Sequence, residues 1–218
     1  MSAATLDLQR WGNADTVLLD IARDSWNDPA FQDLVAGFPE NSRHDAETLI
    51  AHIEDLTLRD VKAAYLKQLQ GNLWKTGYGQ GDLKTPLFDD VIPKLEAWKN
   101  SGKTLAIFSS GSIQAQLQFF SYIEDDGSST RDIKPLFSAH YDTVNAGSKL
   151  HQGSYEKICS ELGNETRKVV FLTDNVQEAV AATAAGVYTI LVDRPGNAPL
   201  SAETKEQFAV IQKLTDLP

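Results

Sequence analysis

Apolar and polar positions along this chain group into short runs whose period changes from one stretch to the next. Five runs have the β-branched and aromatic density of buried strands: TVLLDI (16–21), KTLAIFSS (103–110), LFSAHYDT (136–143), KVVFLTD (168–174) and VYTILVD (187–193). Helical spacing predicts helices near 111–122, 153–162, 176–185 and 201–214, several opened by Gly, Ser or Asn at the turn. Strands alternating with helices predict an α/β fold: a Rossmann-like parallel sheet with helices on both faces.

Between the first two predicted strands the pattern is different. Leu49, Ile53 and Leu56, then Val61, Tyr65 and Leu69, recur at helical spacing with no strand between them. The insertion is too long for a crossover helix. It predicts a small all-helical cap over residues 24–95, with 14–23 and 96–218 forming the core. Gly79, Gly81 and Pro86 interrupt both periodicities near the cap's carboxyl boundary. Such a cap would cover the carboxyl edge of the sheet and exclude water from a site there.

Charge and composition narrow the functional classes. A formal net charge of -10 argues against a nucleic-acid partner or a polybasic membrane patch, both of which need clustered Lys and Arg. No window is apolar enough to cross a bilayer, and the amino-terminal MSAATLDLQRWGNAD lacks the basic start and apolar run of a secretory signal, so a cytoplasmic protein is expected. The single cysteine, Cys159, excludes an internal disulfide and is expected on the buried face of YEKICSEL. His44, His52, His140 and His151 have no ligand-like spacing. Trp74 is expected to line a cavity of the cap.

Candidate chemistry collects at the strand ends. Asp20 closes the first run, Ser109 and Ser110 the second, Lys149 follows the third, and Asp174 closes the fourth, with Glu178 one helical turn later. In a parallel sheet these ends share one edge, where ligands bind. Asp174 also has a simpler reading as a helix N-cap, since aspartate is a preferred capping residue. Taken together, a carboxylate nucleophile, hydroxyl and amide donors at a helix start, a cation and a second carboxylate suit phosphoryl transfer. A carboxylate attacks a phosphate only once the phosphoryl charge is neutralised, which calls for Mg²⁺. Asp20, the backbone carbonyl of Ala22 and Asp174 would hold the metal, because Mg²⁺ takes a few oxygen donors and keeps several waters. Ser109, Ser110 and the following amides would bind the phosphate. Lys149 would steady the phosphoryl group and Asp20, and Glu178 would orient Lys149 or metal-bound waters.

The Asp20, Ser109, Lys149 and Asp174 pattern with a helical cap after the first strand resembles the haloacid dehalogenase superfamily of aspartate-nucleophile phosphatases. KQLQGNLWKTGY, IFSSGSIQAQLQFF, GSKLHQGSYEKI, VVFLTDNVQEA and VDRPGNAPL, in that order, are similar to the enolase-phosphatase family of methionine salvage. The resemblance implies a Mg²⁺-dependent enzyme of methionine biosynthesis that enolises 2,3-diketo-5-methylthiopentyl-1-phosphate and dephosphorylates it to an acireductone. It also implies a monomer of the cytoplasm and nucleus whose partner is that small phosphorylated diketone.

One departure from the family stands out. Where the family has Asp-Ile-Glu-Gly-Thr and a hinge, this chain runs from Asp20 and Ile21 into Ala22 and Arg23, so the cap is shortened and the acid two residues beyond the nucleophile is absent. Loss of a general acid costs about 10²–10⁴ in rate, so impaired turnover is expected, with non-catalytic phosphate binding as the alternative.

Overall fold

The computed structural model describes residues 19–59, 61, 63–81, 83–125 and 129–218. Contacts divide the chain at Thr85: described residues up to Lys84 form a helical unit, and Thr85–Pro218 a unit that carries the sheet.

The helical unit consists of a helix over residues 19–24 (α1), then α2 (Pro29–Val35), α3 (Ala46–Leu58) and α4 (Ala64–Gln80). Helix α3 starts where the Asp45 carboxylate accepts the Thr48 amide at 2.7 Å, and it buries Leu49, Ile50, Ile53 and Leu56 on one face. Helix α4 stops at Gly81, whose φ of 84° is left-handed and cheap only for glycine. The expected helical insertion is therefore present.

Its first helix corrects the reading of TVLLDI as a strand. Residues 16–18 lie outside the described residues, but 19–24 are helical, with Ile21 and Ala22 buried and Asp20, Arg23 and Asp24 exposed. A strand would send Asp20 and Arg23 to opposite faces. One helical turn instead brings them together, and the Arg23 guanidinium meets the Asp20 carboxylate at 2.8 Å.

The sheet unit runs α5 (Val91–Asn100), β1 (Ala106–Phe108), α6 (Ile113–Ser121), β2 (Ile123–Asp125), β3 (Ser129–Arg131), β4 (Ala139–Tyr141), α7 (Gln152–Glu161), β5 (Val170–Thr173), α8 (Val176–Ala184), β6 (Tyr188–Val192), α9 (Ala202–Gln207) and β7 (Ala209–Ile211). Strands β1 and β4 pair in parallel, Ala106 opposite Ala139 and Phe108 opposite Tyr141. Strands β5, β6 and β7 form a second parallel group, with Val170 opposite Tyr188 and Ile190 opposite Ala209. Neighbouring residues of β1 point to opposite faces, as a strand requires. Ile107 packs with Val91 and Leu95 of α5 and Phe120 of α6, and Phe108 packs with Tyr155 and Ile158 of α7 and Ala181 of α8. Helices thus cover both faces, and the fold is the expected Rossmann-like α/β arrangement.

Four details differ from the sequence reading. The core segment expected at 14–23 has its described residues, 19–23, in the helical unit. The cap's far boundary falls at Lys84 rather than 95, because Val91 and Leu95 are buried against the sheet. The helix expected over 201–214 ends at Gln207, and Ala209–Ile211 becomes β7: Phe208 packs with Leu191 and Ala179 while β6 offers an unpaired edge. An antiparallel hairpin of β2 and β3 is also present where no strand was expected.

Candidate functional site

The carboxyl ends of the parallel strands carry Ser109, Asp142, Asp174 and Arg194 in chain order. Tyr155 of α7 joins the two strand groups, since its ring meets Phe108 of β1 at 5.5 Å and Phe171 of β5 at 5.0 Å between centroids. The strands that lead into Ser109 and Asp174 are therefore packed against the same helix.

The turn from β1 into α6 is rich in donors. The Ser109 amide continues the strand pairing by donating to the Tyr141 carbonyl at 3.0 Å, and the Ser109 hydroxyl accepts the Gly111 amide at 3.1 Å. Ser112 caps α6, its side chain accepting the Ala115 amide. Ser110 is exposed, and the amides of Ser110 and Ser112 donate to nothing among the described residues. An exposed hydroxyl and two amides at a helix start are neutral donors of the kind that bind an anion.

Lys149 is held by its loop. The Asp142 carboxylate accepts the amides of Val144 and Asn145 through one oxygen and that of Ile113 through the other. Burial pushes the Asp142 carboxyl up, but those three amides outweigh it and hold it below the usual carboxylate range. Gly147 adopts a φ of 97°, and a Cβ there would sit 2.8 Å from the Ser154 hydroxyl, so the loop turns where only glycine fits. The Tyr155 hydroxyl then donates to the Lys149 carbonyl at 2.6 Å. The Lys149 ammonium lies over the rings of Phe108 and Phe171, 5.9 and 5.7 Å from their centroids, and pairs with Glu178 at 2.6 Å. Both side chains are nearly sealed from water, with exposures of 8% and 12%. Removing one partner of such a pair leaves a buried uncompensated charge, a loss of about 3–5 kcal/mol.

At the end of β5 the N-cap is Asn175, whose side chain accepts the amides of Gln177 and Glu178. Asp174 therefore does not cap the helix. Its carboxylate is half-buried at the strand end, next to Thr173, whose hydroxyl donates to Glu178 at 2.6 Å. Glu178 touches Lys149, as expected of a residue that orients it. The far side of the edge holds a pair the sequence reading did not foresee. Arg194 reaches the Asp90 carboxylate at 2.7 Å with its guanidinium over the Phe88 ring, and Asp90 also accepts the Leu214 amide. Burial raises the Asp90 carboxyl, and the Arg194 and Leu214 hydrogen bonds more than reverse it, leaving it below its ordinary value.

Asp20 and Ala22 are placed otherwise than the sequence reading has them. Both lie on α1 of the helical unit, where Asp20 is exposed and its carboxylate is held by Arg23, which also binds Glu47 at 2.7 Å. Ala22 is 1% exposed in the same helix, where carbonyls are directed along the axis toward later amides. The expected strand-end placement of both residues is thus corrected. For Mg²⁺ the sheet edge fits in donor type and charge. Lys149 pairs with Glu178 and Arg194 with Asp90, and the carboxylates of Asp174 and Asp142 at these strand ends are of the donor type a hard cation takes. Among the described residues no three His, Cys, Asp or Glu side chains come together as a metal cluster.

Residues 16–186 match the model of the haloacid dehalogenase-like hydrolases. Over 194 residues the chain is 44% identical to Enolase-phosphatase E1 of Podospora anserina, a match covering 88% of this chain and 82% of that protein. The chain belongs to the enolase-phosphatase E1 family of haloacid dehalogenase-like hydrolases. The Neurospora crassa Enolase-phosphatase E1 is 43% identical over the same shares of the two chains. Among solved structures, the UTR4 protein of Saccharomyces cerevisiae superposes with a TM-score of 0.78 at 30% identity, covering 95% of this chain and 90% of that one. A 2-haloacid dehalogenase from Pseudomonas syringae shares the fold, with a TM-score of 0.56 at 15% identity over 93% of this chain and 88% of that one.

Strand-end reasoning missed Asp142 and Tyr155, which hold the loop carrying Lys149, and Gln116 of α6, whose amide donates to the Gly111 and Tyr141 carbonyls at the turn after β1. Asp142 was accessible to it, standing in HYDT just beyond β4. Gln116 and Tyr155 lie inside helices and show their role only through the carbonyls they reach.

Proposed function

We propose that this chain is a Mg²⁺-dependent phosphoric monoester hydrolase of methionine salvage. Its substrate is 2,3-diketo-5-methylthiopentyl-1-phosphate, its product the acireductone, and its turnover weak. The observation that carries the reading is that Lys149, buried and paired with Glu178, lies over Phe108 of β1 and Phe171 of β5, the strands that lead into Ser109 and Asp174. Ser109 and Ser110, with the amides of Ser110 and Ser112, bind the phosphoryl oxygens; Lys149 supplies fixed positive charge where negative charge develops, and Glu178 orients it. Asp174 would hold the magnesium ion, which neutralises phosphoryl charge when bound. By the family pattern Asp20 is the nucleophile, whose oxygen would bond to phosphorus as the ester P–O bond breaks, with water then releasing inorganic phosphate; α1 instead holds it in an ion pair with Arg23. Ala22 has no proton to give the departing oxygen, and Asp20 has Arg23 bound to it, so both steps are slow in this chain.

That last observation favours a second reading, in which the edge binds phosphate without turnover. Phosphate release from the diketo phosphate separates them, comparing this chain with a chimera that carries a complete Asp-Ile-Glu-Gly-Thr hinge. Slow release by this chain and fast release by the chimera are expected. Release by neither overturns the enzyme reading, and equal rates overturn the assigned defect.

A further inference from the structure

We propose that Gln116 is a positioning residue for the phosphate-binding turn, an inference that rests on the phosphate reading of the Ser109–Ser112 segment. Gln116 is 5% exposed in the first turns of α6, an unusual place for an uncharged amide unless its hydrogen bonds are all used. They are. Its Nε2 donates to the Gly111 carbonyl and to the Tyr141 carbonyl, both at 2.9 Å, and its Oε1 lies 3.1 Å from His140 Nδ1.

Two consequences follow from the donor count. A primary amide has two protons, and both go to carbonyls, so Oε1 acts as acceptor and His140 must carry a proton on Nδ1. His140 packs between Phe120 and Phe137, and burial lowers its affinity for a second proton. The second consequence concerns the turn. Gly111 lies between the two amides that donate to nothing in the described structure, those of Ser110 and Ser112. A peptide carbonyl left loose at that point can rotate its negative end toward the anion site. Gln116 holds this carbonyl on the buried side, while Asp142 holds the Ile113 amide and Tyr141 the Ser109 amide. The turn is thereby fixed at three backbone atoms with its remaining amides presented together. Such fixing tightens anion binding without any contact between Gln116 and the ligand.

The test compares the full chain, Gln116→Met, Lys149→Ala and, as a control for lost stability, Leu95→Ala, titrated with inorganic phosphate in the presence of Mg²⁺. Gln116→Met keeps the volume and removes both donors; Leu95 belongs to the buried cluster around Ile107, which includes neither the turn nor Lys149. Gln116→Met is expected to weaken phosphate binding at least about tenfold. Leu95→Ala, brought to a similar fraction of its denaturation midpoint, should bind within about twofold of the unmodified chain. Nitrogen-15 spectra should show His140 protonated at Nδ1 in the unmodified chain and lose that signature in Gln116→Met. Unchanged affinity in Gln116→Met, with Lys149→Ala still weakened, overturns the positioning role and leaves the phosphate site standing. Equal weakening in Gln116→Met and Leu95→Ala also overturns it, as a mere stability effect. No phosphate binding by the unmodified chain overturns both the site and this inference.

Discussion

Asp174 and Asp20 each end an apolar run, and the chain treats them in opposite ways. Asp174 closes β5, half-buried beside a sealed Lys149–Glu178 pair, whereas Asp20 lies on a helix in contact with Arg23, both of them largely exposed. The difference is in the surroundings rather than in the carboxylates. Val170–Thr173 pairs residue for residue with β6 and is covered by α7 and α8, so its carboxyl end is a fixed point. The segment at Asp20 buries Ile21 and Ala22 on one side of a helix and leaves its charges in water. A buried ion pair is little screened by salt and costly to break, whereas an exposed one is screened.

Four measurements can break or sharpen this contrast. The largest effect is expected at Lys149. Lys149→Ala should cost about 3–5 kcal/mol in denaturant unfolding, because Glu178 is left buried and unpaired. Lys149→Met combined with Glu178→Leu should recover most of that loss while phosphate binding stays absent. Recovery of binding in the double variant would remove Lys149 from the site.

Next comes Asp174→Asn. With the cap supplied by Asn175, the fold should be kept and the helix start unchanged, while phosphate release falls at least about 10²-fold and its response to added Mg²⁺ disappears. A variant that unfolds, or one that keeps its Mg²⁺ response, would contradict the assignment.

A smaller, pH-dependent effect is expected at Asp142. Its carboxyl is held below the unfolded value of about 3.9, so its stabilising contribution is complete above that pH and is lost as the pH falls through the lower folded value. Unfolding midpoints measured from about pH 6 down to about pH 2.5 should fall more steeply for the unmodified chain than for Asp142→Asn. Parallel curves would show that the three amides do not stabilise the charged form.

The smallest effect is expected at Arg23. Arg23→Ala should leave the denaturation midpoint unchanged at moderate salt, since its partners are exposed. If Arg23 withholds Asp20 from chemistry, the same variant should release phosphate faster than the unmodified chain. A large stability loss would mean that the helix at 19–24 depends on this contact.

Much of the frame was legible in order along the chain. The strands at 106–108, 139–141, 170–173 and 188–192 fall inside runs chosen for their apolar density, and the helical insertion shows in the spacing of Leu49, Ile53 and Leu56. Ser109 and Asp174 are legible as polar residues that close apolar runs, at the strand ends where parallel sheets gather ligands. Cys159 on a buried helix face is likewise a matter of local period.

Tertiary structure decided the rest. Whether a short apolar run is a strand depends on a partner edge, and β6 offers one to both Val170–Thr173 and Ala209–Ile211. That is why residues after Gln207 leave the expected helix, and periodicity within six residues cannot tell the cases apart. The same limit hid Gln116 and the Arg194–Asp90 pair, whose hydrogen bonds reach across 25 and 104 residues of sequence. Local pattern records which side of an element is buried. Which polar atoms meet inside is settled only when distant segments close the core and each buried donor has to find an acceptor.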